Sequence, residues 1–233
     1  MITVFELIIK IYLIKDVKQK EIHNIIAEFI DSFLLEKEKF AEFHEKNVYK
    51  FYSFDEPFPI AQNGIYKGDF QYQFRLRTVD AELADYFAGG LADHQTKAVK
   101  GLMRTVRVIP NRQIAKIYTV TPIIIKTPDK KGYWKDCMPF ARLENAIRNN
   151  LIKKYNSFTG EKLQEDFGLY DQIELLNKSP IGIPYKGITL LGDKVSFIAA
   201  DNEIAQKLWY FALGTGLCEM NSRGQGFLQY HFL

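Results

Sequence analysis

Apolar residues fall at helical spacing over one long stretch near the start of the chain. Ile22, Ile25, Ile26, Phe29, Ile30, Phe33 and Leu34 recur at i, i+3, i+4, i+7 and i+8, forming one wide apolar stripe. Phe40 and Phe43 extend it, Glu36, Lys37, Glu38 and Lys39 mark a bend, and Asn47 is a stop, so His44 belongs at the helix end. Asp16 is placed as an N-cap, with Gln19 three residues on as in a capping box. Before this helix, residues 2–14 are β-branched and apolar with partial alternation, which predicts a central strand. After it, residues 48–54 predict an aromatic strand closed by Pro57 and Pro59. Period two is clearest over 66–78, where Phe70, Tyr72, Phe74 and Leu76 alternate with Gln71, Gln73, Arg75 and Arg77. Residues 80–88 read as a helix ending at Gly89 and Gly90, 91–100 as a second helical stretch, and 102–109 as a strand. Strand, helix, strand, strand, helix, strand is a ferredoxin-like unit.

The pattern restarts after Asn111, Arg112 and Gln113. Residues 114–126 predict a strand interrupted by Pro122. Residues 139–155 predict a helix with Leu143, Ile147, Leu151 and Ile152 on one side and Arg142, Arg148, Lys153 and Lys154 mostly away from it. The segment 156–187 shows no clear period and is punctuated by Pro180, Gly182 and Pro184. Leu190 and 195–199 read as strand, 203–212 as helix, and 227–232 as a last strand. Residues do not repeat between the halves, but the order of elements roughly does. The expected fold class is therefore α+β, two tandem ferredoxin-like (RRM-like) domains, at 1–112 and 113–233.

Composition narrows this little. A length of 233 residues with 47% hydrophobic content and eight prolines suits a globular chain with a real core. A net charge of +3 permits a polyanionic partner only through clustering of cations. The two cysteines, Cys137 and Cys218, form no C-x-x-C pair, and with four scattered histidines no zinc site is expected. Glu6 and Lys10 interrupt the apolar start, so neither a signal peptide nor a membrane span is expected, and a reducing, cytoplasmic setting is.

The richest stretch lies near the end: Gly214, Gly216, Asn221, Ser222, Arg223, Gly224 and Gly226 between a helical and a strand pattern. Successive amides in glycine-rich turns can form a concave donor nest for phosphate oxygens. Dinucleotide and Walker loops run strand, glycines, helix; this one runs helix, glycines, strand. That order argues against a nucleotide cofactor and for a loop lying along an extended anion, a tight surface turn being the plainer alternative. His44 reads either as a packed or capping residue or as a proton carrier near neutral pH, with Lys50 a few residues on. His23, His94 and His231 have no such neighbour. Tyr49, Phe51 and Tyr52 are base-stacking platforms or core. Arg75 and Arg77 are phosphate contacts or an ordinary solvated face. Lys126, Lys130, Lys131 and Lys135, with Tyr133 and Trp134, mix charge and aromatics in a way that suits nucleic acid. No paired carboxylates, serine elbow or metal-ligand spacing stands out, so no metal or cofactor is expected.

Taken together these segments resemble the CRISPR-associated repeat-processing endoribonucleases, the Cas-six family. The resemblance is carried by Gly214, Gly216, Asn221, Ser222, Gly224, Gly226 and Phe227 as a glycine-rich loop, and by His44 with the strand from Lys50 to Phe54. Tyr118 to Ile125 and Asn202 to Leu208 match the second domain's opening strand and the helix feeding the loop. Two departures are plain: the helix from Ile22 to Phe43 lacks the tyrosine some members use, and Gln225 stands where an apolar residue is common. The resemblance implies metal-independent cleavage of CRISPR repeat RNA by attack of a 2′-OH on the adjacent phosphate. It leaves a 2′,3′-cyclic phosphate and a 5′-OH, with His44 moving a proton, Lys50 offsetting phosphate charge, and the loop over 214–226 with Arg223 holding the RNA backbone; Arg75, Arg77, Lys126 and Lys131, read from spacing and clustering, are the further RNA-contact candidates. It also implies other CRISPR interference subunits or a second copy as partners, and no membrane. The alternative is a non-catalytic RNA-binding subunit on the same fold.

Overall fold

Strand formation follows the alternation closely. In the computed structural model, which describes residues 2–127, 132–164 and 166–233, the first half runs β1 (Val4–Leu13), β2 (Val17–Lys18), α1 (Ile22–Leu34) and α2 (Glu38–Glu45). It continues with β3 (Tyr52–Phe54), β4 (Ile65–Tyr66), β5 (Phe70–Thr78), α3 (Ala81–Gly90) and β6 (Val99–Ile109). Leu7, Ile9, Ile11 and Leu13 of β1 are fully buried, and so are Ile22, Ile26, Phe29 and Ile30 on the α1 stripe, within one apolar cluster. Burying such side chains contributes about 1.5–3 kcal/mol each. The sheet order is β3-β5-β1-β6, all antiparallel.

The second half runs β7 (Ile114–Thr119), α4 (Trp134–Cys137), α5 (Phe140–Thr159), β8 (Tyr170–Leu175), β9 (Ile181–Tyr185), β10 (Ile188–Gly192), β11 (Val195–Ala199), α6 (Glu203–Thr215) and β12 (Leu228–Phe232). Its sheet order, β12-β7-β11-β8, is that of the first sheet once strands are matched by rank. The fold is thus α+β with tandem ferredoxin-like units, as the element order predicts. The β9–β10 hairpin is an insertion in the second unit. Its two-residue turn, Lys186 and Gly187, has positive φ at both positions, 46° and 79°, the geometry that matches strand twist.

The bend expected at Glu36 to Lys39 is a full break, α1 stopping at Leu34 and α2 beginning at Glu38. Three local expectations fail. Asp16 does not cap α1; its carboxylate accepts from the Gly68 amide (2.8 Å) and pairs with Lys67 (2.9 Å). Residues 91–98 are turns rather than helix, because β6 folds back on them: Gly101 N–H donates to the His94 carbonyl (2.9 Å). The strand expected over 48–54 shrinks to Tyr52–Phe54, since Phe51 takes a left-handed φ of 53°.

The two units share buried polar contacts. Arg77 on β5 donates through Nε to Glu6 on β1 (2.6 Å), and through Nη1 to the Leu228 carbonyl on β12 (2.6 Å). Tyr210 of α6 donates to the Ile109 carbonyl at 2.6 Å. The charge-assisted bonds of Arg77 are the stronger ones.

Candidate functional site

Of the side chains on α2, Phe40 is buried, its ring 4.3 Å from that of Tyr86. The end of this short helix, where His44 sits, is held by a different device. Lys50 Nζ donates to the carbonyls of Phe43, His44 (2.9 Å) and Lys46 (2.7 Å). An ammonium has three donors, and all three are spent on the orphan carbonyls of the helix end. This corrects the expectation of Lys50 as a free cation facing substrate: it is a C-terminal cap. Burial holds its pKa below the ordinary lysine value, the charge of Arg223 adds to this, and Asp31 opposes it.

Asp31, on the last turns of α1, reaches the end of α2. Its Oδ1 lies 3.4 Å from His44 Nδ1, and its Oδ2 pairs with the Arg223 guanidinium of the glycine-rich loop. Burial alone would lower the Arg223 pKa, but the Asp31 bond and charge outweigh it and hold the guanidinium above its ordinary value. Asn24, Asp31, Ser32, His44, Tyr185 and Arg223 line a cavity of about 470 Å³. Arg223 also borders an adjoining cleft of about 540 Å³ between the units, with Lys18, Lys20, His23, Lys194 and Gln225. Residues from both halves of the chain therefore meet at Arg223.

The loop is built differently from the phosphate nest its glycines suggested. Gly214 lies inside α6, where an added Cβ would come 2.7 Å from Val79 Cγ1; it permits close packing and is not a turn. Gly216 N–H donates to Ala212 (2.8 Å), Gly224 N–H to Asn221 (3.0 Å) and Gly226 N–H to Pro122 (2.8 Å). Those amides are spent inside the protein, which corrects the expectation that they cradle phosphate. Gly224 has φ +81°, and a Cβ there would meet His23 Cδ2 at 2.4 Å; at Gly226 a Cβ would meet the Leu217 carbonyl oxygen at 2.1 Å. Both positions exclude a side chain. Asn221 is an internal brace, donating to the Leu217 (3.0 Å) and Gln225 (2.9 Å) carbonyls. Of the loop's polar side chains, Arg223 and Gln225 remain to face the cavities.

Lys154 of α5 supports this brace. It is 2% exposed, the reverse of the solvent-side position its spacing suggested, and Nζ donates to the Gly216 carbonyl (2.8 Å) and Asn221 Oδ1 (2.7 Å). Burial pulls its pKa down to about 8, against 10.5 ordinarily. Between those values the unfolded chain binds a proton that the folded chain does not, so stability rises with pH across that window. Unfolding free energies of the wild type and Lys154→Met, measured by urea titration from pH 7.5 to 10.5, are expected to diverge in favour of the wild type. The gain is at most about 1.4 kcal/mol per pH unit. A difference independent of pH would refute it.

The remaining candidates divide. Arg77 is 1% exposed, with its guanidinium 4.4 Å over the Phe227 ring and donors on Glu6, Leu228 and Gln229. It ties β12 to the first sheet and cannot reach a phosphate, because the start of the chain's last strand covers the Arg77 end of the polar face of β5, while Gln71 and Gln73 farther along stay exposed. Arg75 is half-buried and donates through Nε to Asp55 at 2.6 Å. Burial pushes Asp55 up, with Arg75 opposing it. Lys126 is 81% exposed and pairs loosely with Glu219 at 3.6 Å. Lys130 and Lys131 lie outside the described residues. Tyr52 is core, and Tyr133 and Trp134 are buried on Asp193 (2.7 and 2.6 Å), so these three are not stacking platforms. Tyr49 and Phe51 are half-buried, their ring centroids 6.2 Å apart.

Sequence reasoning passed over Asp31, Lys194 and the hairpin residue Tyr185. Asp31 breaks no apolar position of its helix and reads there as an ordinary solvated carboxylate. Among the described residues no group of three or more His, Cys, Asp or Glu side chains could hold a metal ion. No described helix is long and apolar enough to cross a membrane.

Comparison with known proteins adds a family. The family model described as CRISPR associated protein Cas6, C-terminal, matches residues 104–230. No match is found among curated proteins. A solved structure described as CRISPR associated protein Cas6 superposes with a TM-score of 0.67 at 20% identity, covering 98% of this chain and 99% of that one. A Cas6-related protein from Pyrococcus furiosus gives 0.67 at 17% identity, covering 98% of each chain. A RAMP protein described as binding different RNA substrates gives 0.68 at 13% identity, covering 97% of this chain and 99% of that one. At such identities these structures speak for the shared fold.

Proposed function

Because the chain belongs to the Cas6 family of CRISPR-associated proteins, we propose that it is a metal-independent endoribonuclease that cuts CRISPR repeat RNA in precursor transcripts. The observation that carries this reading is the meeting of His44 and Arg223 at one cavity, the two joined through Asp31. An imidazole that can carry a proton near neutral pH stands there beside a guanidinium suited to phosphate oxygens.

In the proposed reaction the 2′ oxygen bonds to the adjacent phosphorus as the bond to the 5′ oxygen breaks. One proton leaves the 2′-OH and another reaches the departing oxygen, giving a 2′,3′-cyclic phosphate and a 5′-OH with no net consumption of water. His44 moves one of those protons, a contribution of about 10²–10⁴-fold. Arg223 offsets charge growing on the phosphate, as a positioned cation does in a partly dry site. Lys50 contributes by holding the end of α2, and so the backbone of His44, in place. Lys126 and Arg75 are positioned to hold RNA farther out, Arg75 by exchanging Asp55 for phosphate.

Purified protein incubated with repeat RNA in EDTA tests this directly. A discrete product carrying a cyclic phosphate is the expected result. A shifted but intact RNA band would instead mark a non-catalytic RNA-binding subunit, and cleavage that returns only with a divalent ion would overturn the mechanism.

A further inference from the structure

We propose that Asp31 is a positioning residue for His44, holding the Nδ1 edge of the ring so that Nε2 is the nitrogen presented to RNA. The inference rests on the reading that His44 moves a proton, and it adds which proton.

Asp31 is placed by both halves of the protein. Its backbone belongs to α1, and one carboxylate oxygen is locked on Arg223 in the loop between α6 and β12. The other oxygen, Oδ1, is buried and without a hydrogen-bond partner among the described residues, while His44 Nδ1 lies 3.4 Å from it. Leaving a buried acceptor unpaired costs about 1–3 kcal/mol, and an Nδ1–H on His44 relieves it. Catalytic hydrogen bonds reach full alignment in the Michaelis or transition-state complex, where this gap would close.

The other charged groups around the ring do not compete for Nδ1. Glu28 of α1 and Lys186 of the hairpin line the same cavity, and no contact between either and His44 is found among the described residues. Lys50 has its ammonium on backbone carbonyls.

The tautomer follows from the partner. In a neutral imidazole one nitrogen donates and the other accepts, and the bond made by one sets the state of the other. With Nδ1–H directed at Asp31, Nε2 carries the lone pair. His44 is then the base: Nε2 takes the proton from the 2′-OH while the 2′ oxygen bonds to phosphorus. The departing 5′ oxygen is protonated from solvent, to which the imidazolium later returns its proton.

The test combines a double-mutant cycle with ring spectroscopy. Single-turnover cleavage by Asp31→Asn is expected to slow by about 10²-fold with repeat-RNA Kd within about threefold of wild type. Asp31→Glu should recover at least about tenfold of that loss, and Asp31→Asn should add less than about twofold to the defect of His44→Ala. In the unmutated protein, ¹⁵N NMR of the neutral His44 ring should show the Nδ1–H tautomer, a readout independent of how the variants fold. An Nε2–H tautomer, an unchanged rate in Asp31→Asn, or equal slowing with and without His44 would each overturn the assignment. Failure of the underlying reading is distinct, since His44→Ala alone would then cleave at the wild-type rate.

Discussion

His44→Ala is expected to lower the single-turnover rate of repeat-RNA cleavage by about 10²–10⁴-fold while Kd for the same RNA stays within about threefold. The separation of the two effects follows from how the site is built. The His44 side chain is 22% exposed at the end of a short helix, so its removal should cost at most the penalty of leaving the buried Asp31 Oδ1 unpaired, about 1–3 kcal/mol. The Asp31–Arg223 pair and the braced loop do not depend on the ring and remain to hold the phosphate backbone. What disappears is the proton carrier. Equal loss of binding and cleavage would make His44 a structural residue and remove the enzyme reading.

A single 2′-deoxy substitution at the scissile nucleotide should abolish cutting altogether while leaving the RNA bound. The nucleophile in this scheme belongs to the substrate, so no change in the protein compensates for its loss. The cations near the cleft, Arg223, Lys194, Lys18 and Lys20, would meet phosphate oxygens, which the substitution leaves intact. Binding by filter retention and cleavage by denaturing gel, both in EDTA, separate the outcomes. A deoxy-substituted strand that is still cut would mean that water attacks the phosphate, and the transesterification scheme would fall.

Much of the fold was legible because it rests on periodicity. The α1 stripe, the alternation over β5 and the element order come straight from spacing, and the order carries the tandem ferredoxin-like fold. The site was legible in part. His44 and Arg223 stood out by their surroundings in sequence, but nothing in spacing joined them. Lys50 looked like a free cation because its partners are backbone carbonyls, which a side-chain pattern does not display. Gly214 looked like part of a turn because a glycine that admits a neighbouring strand is spelled the same as one that reverses a chain. The segment 91–98 looked helical because its composition allows it, while the pairing that unwinds it comes from β6.

Alternation along β5 shows that Arg75 and Arg77 share a face, and this is local geometry that any strand obeys. It says nothing of what covers that face, and here the start of β12, from the far end of the chain, covers only the Arg77 end, burying one arginine and leaving the other half open. The same holds for Lys154, drawn inside by a carbonyl and an asparagine, and for Asp31, which becomes the link between the halves only when they pack. Backbone conformation and face are set by neighbours a few residues away, whereas the fate of a charge is set by whichever distant segment excludes its water.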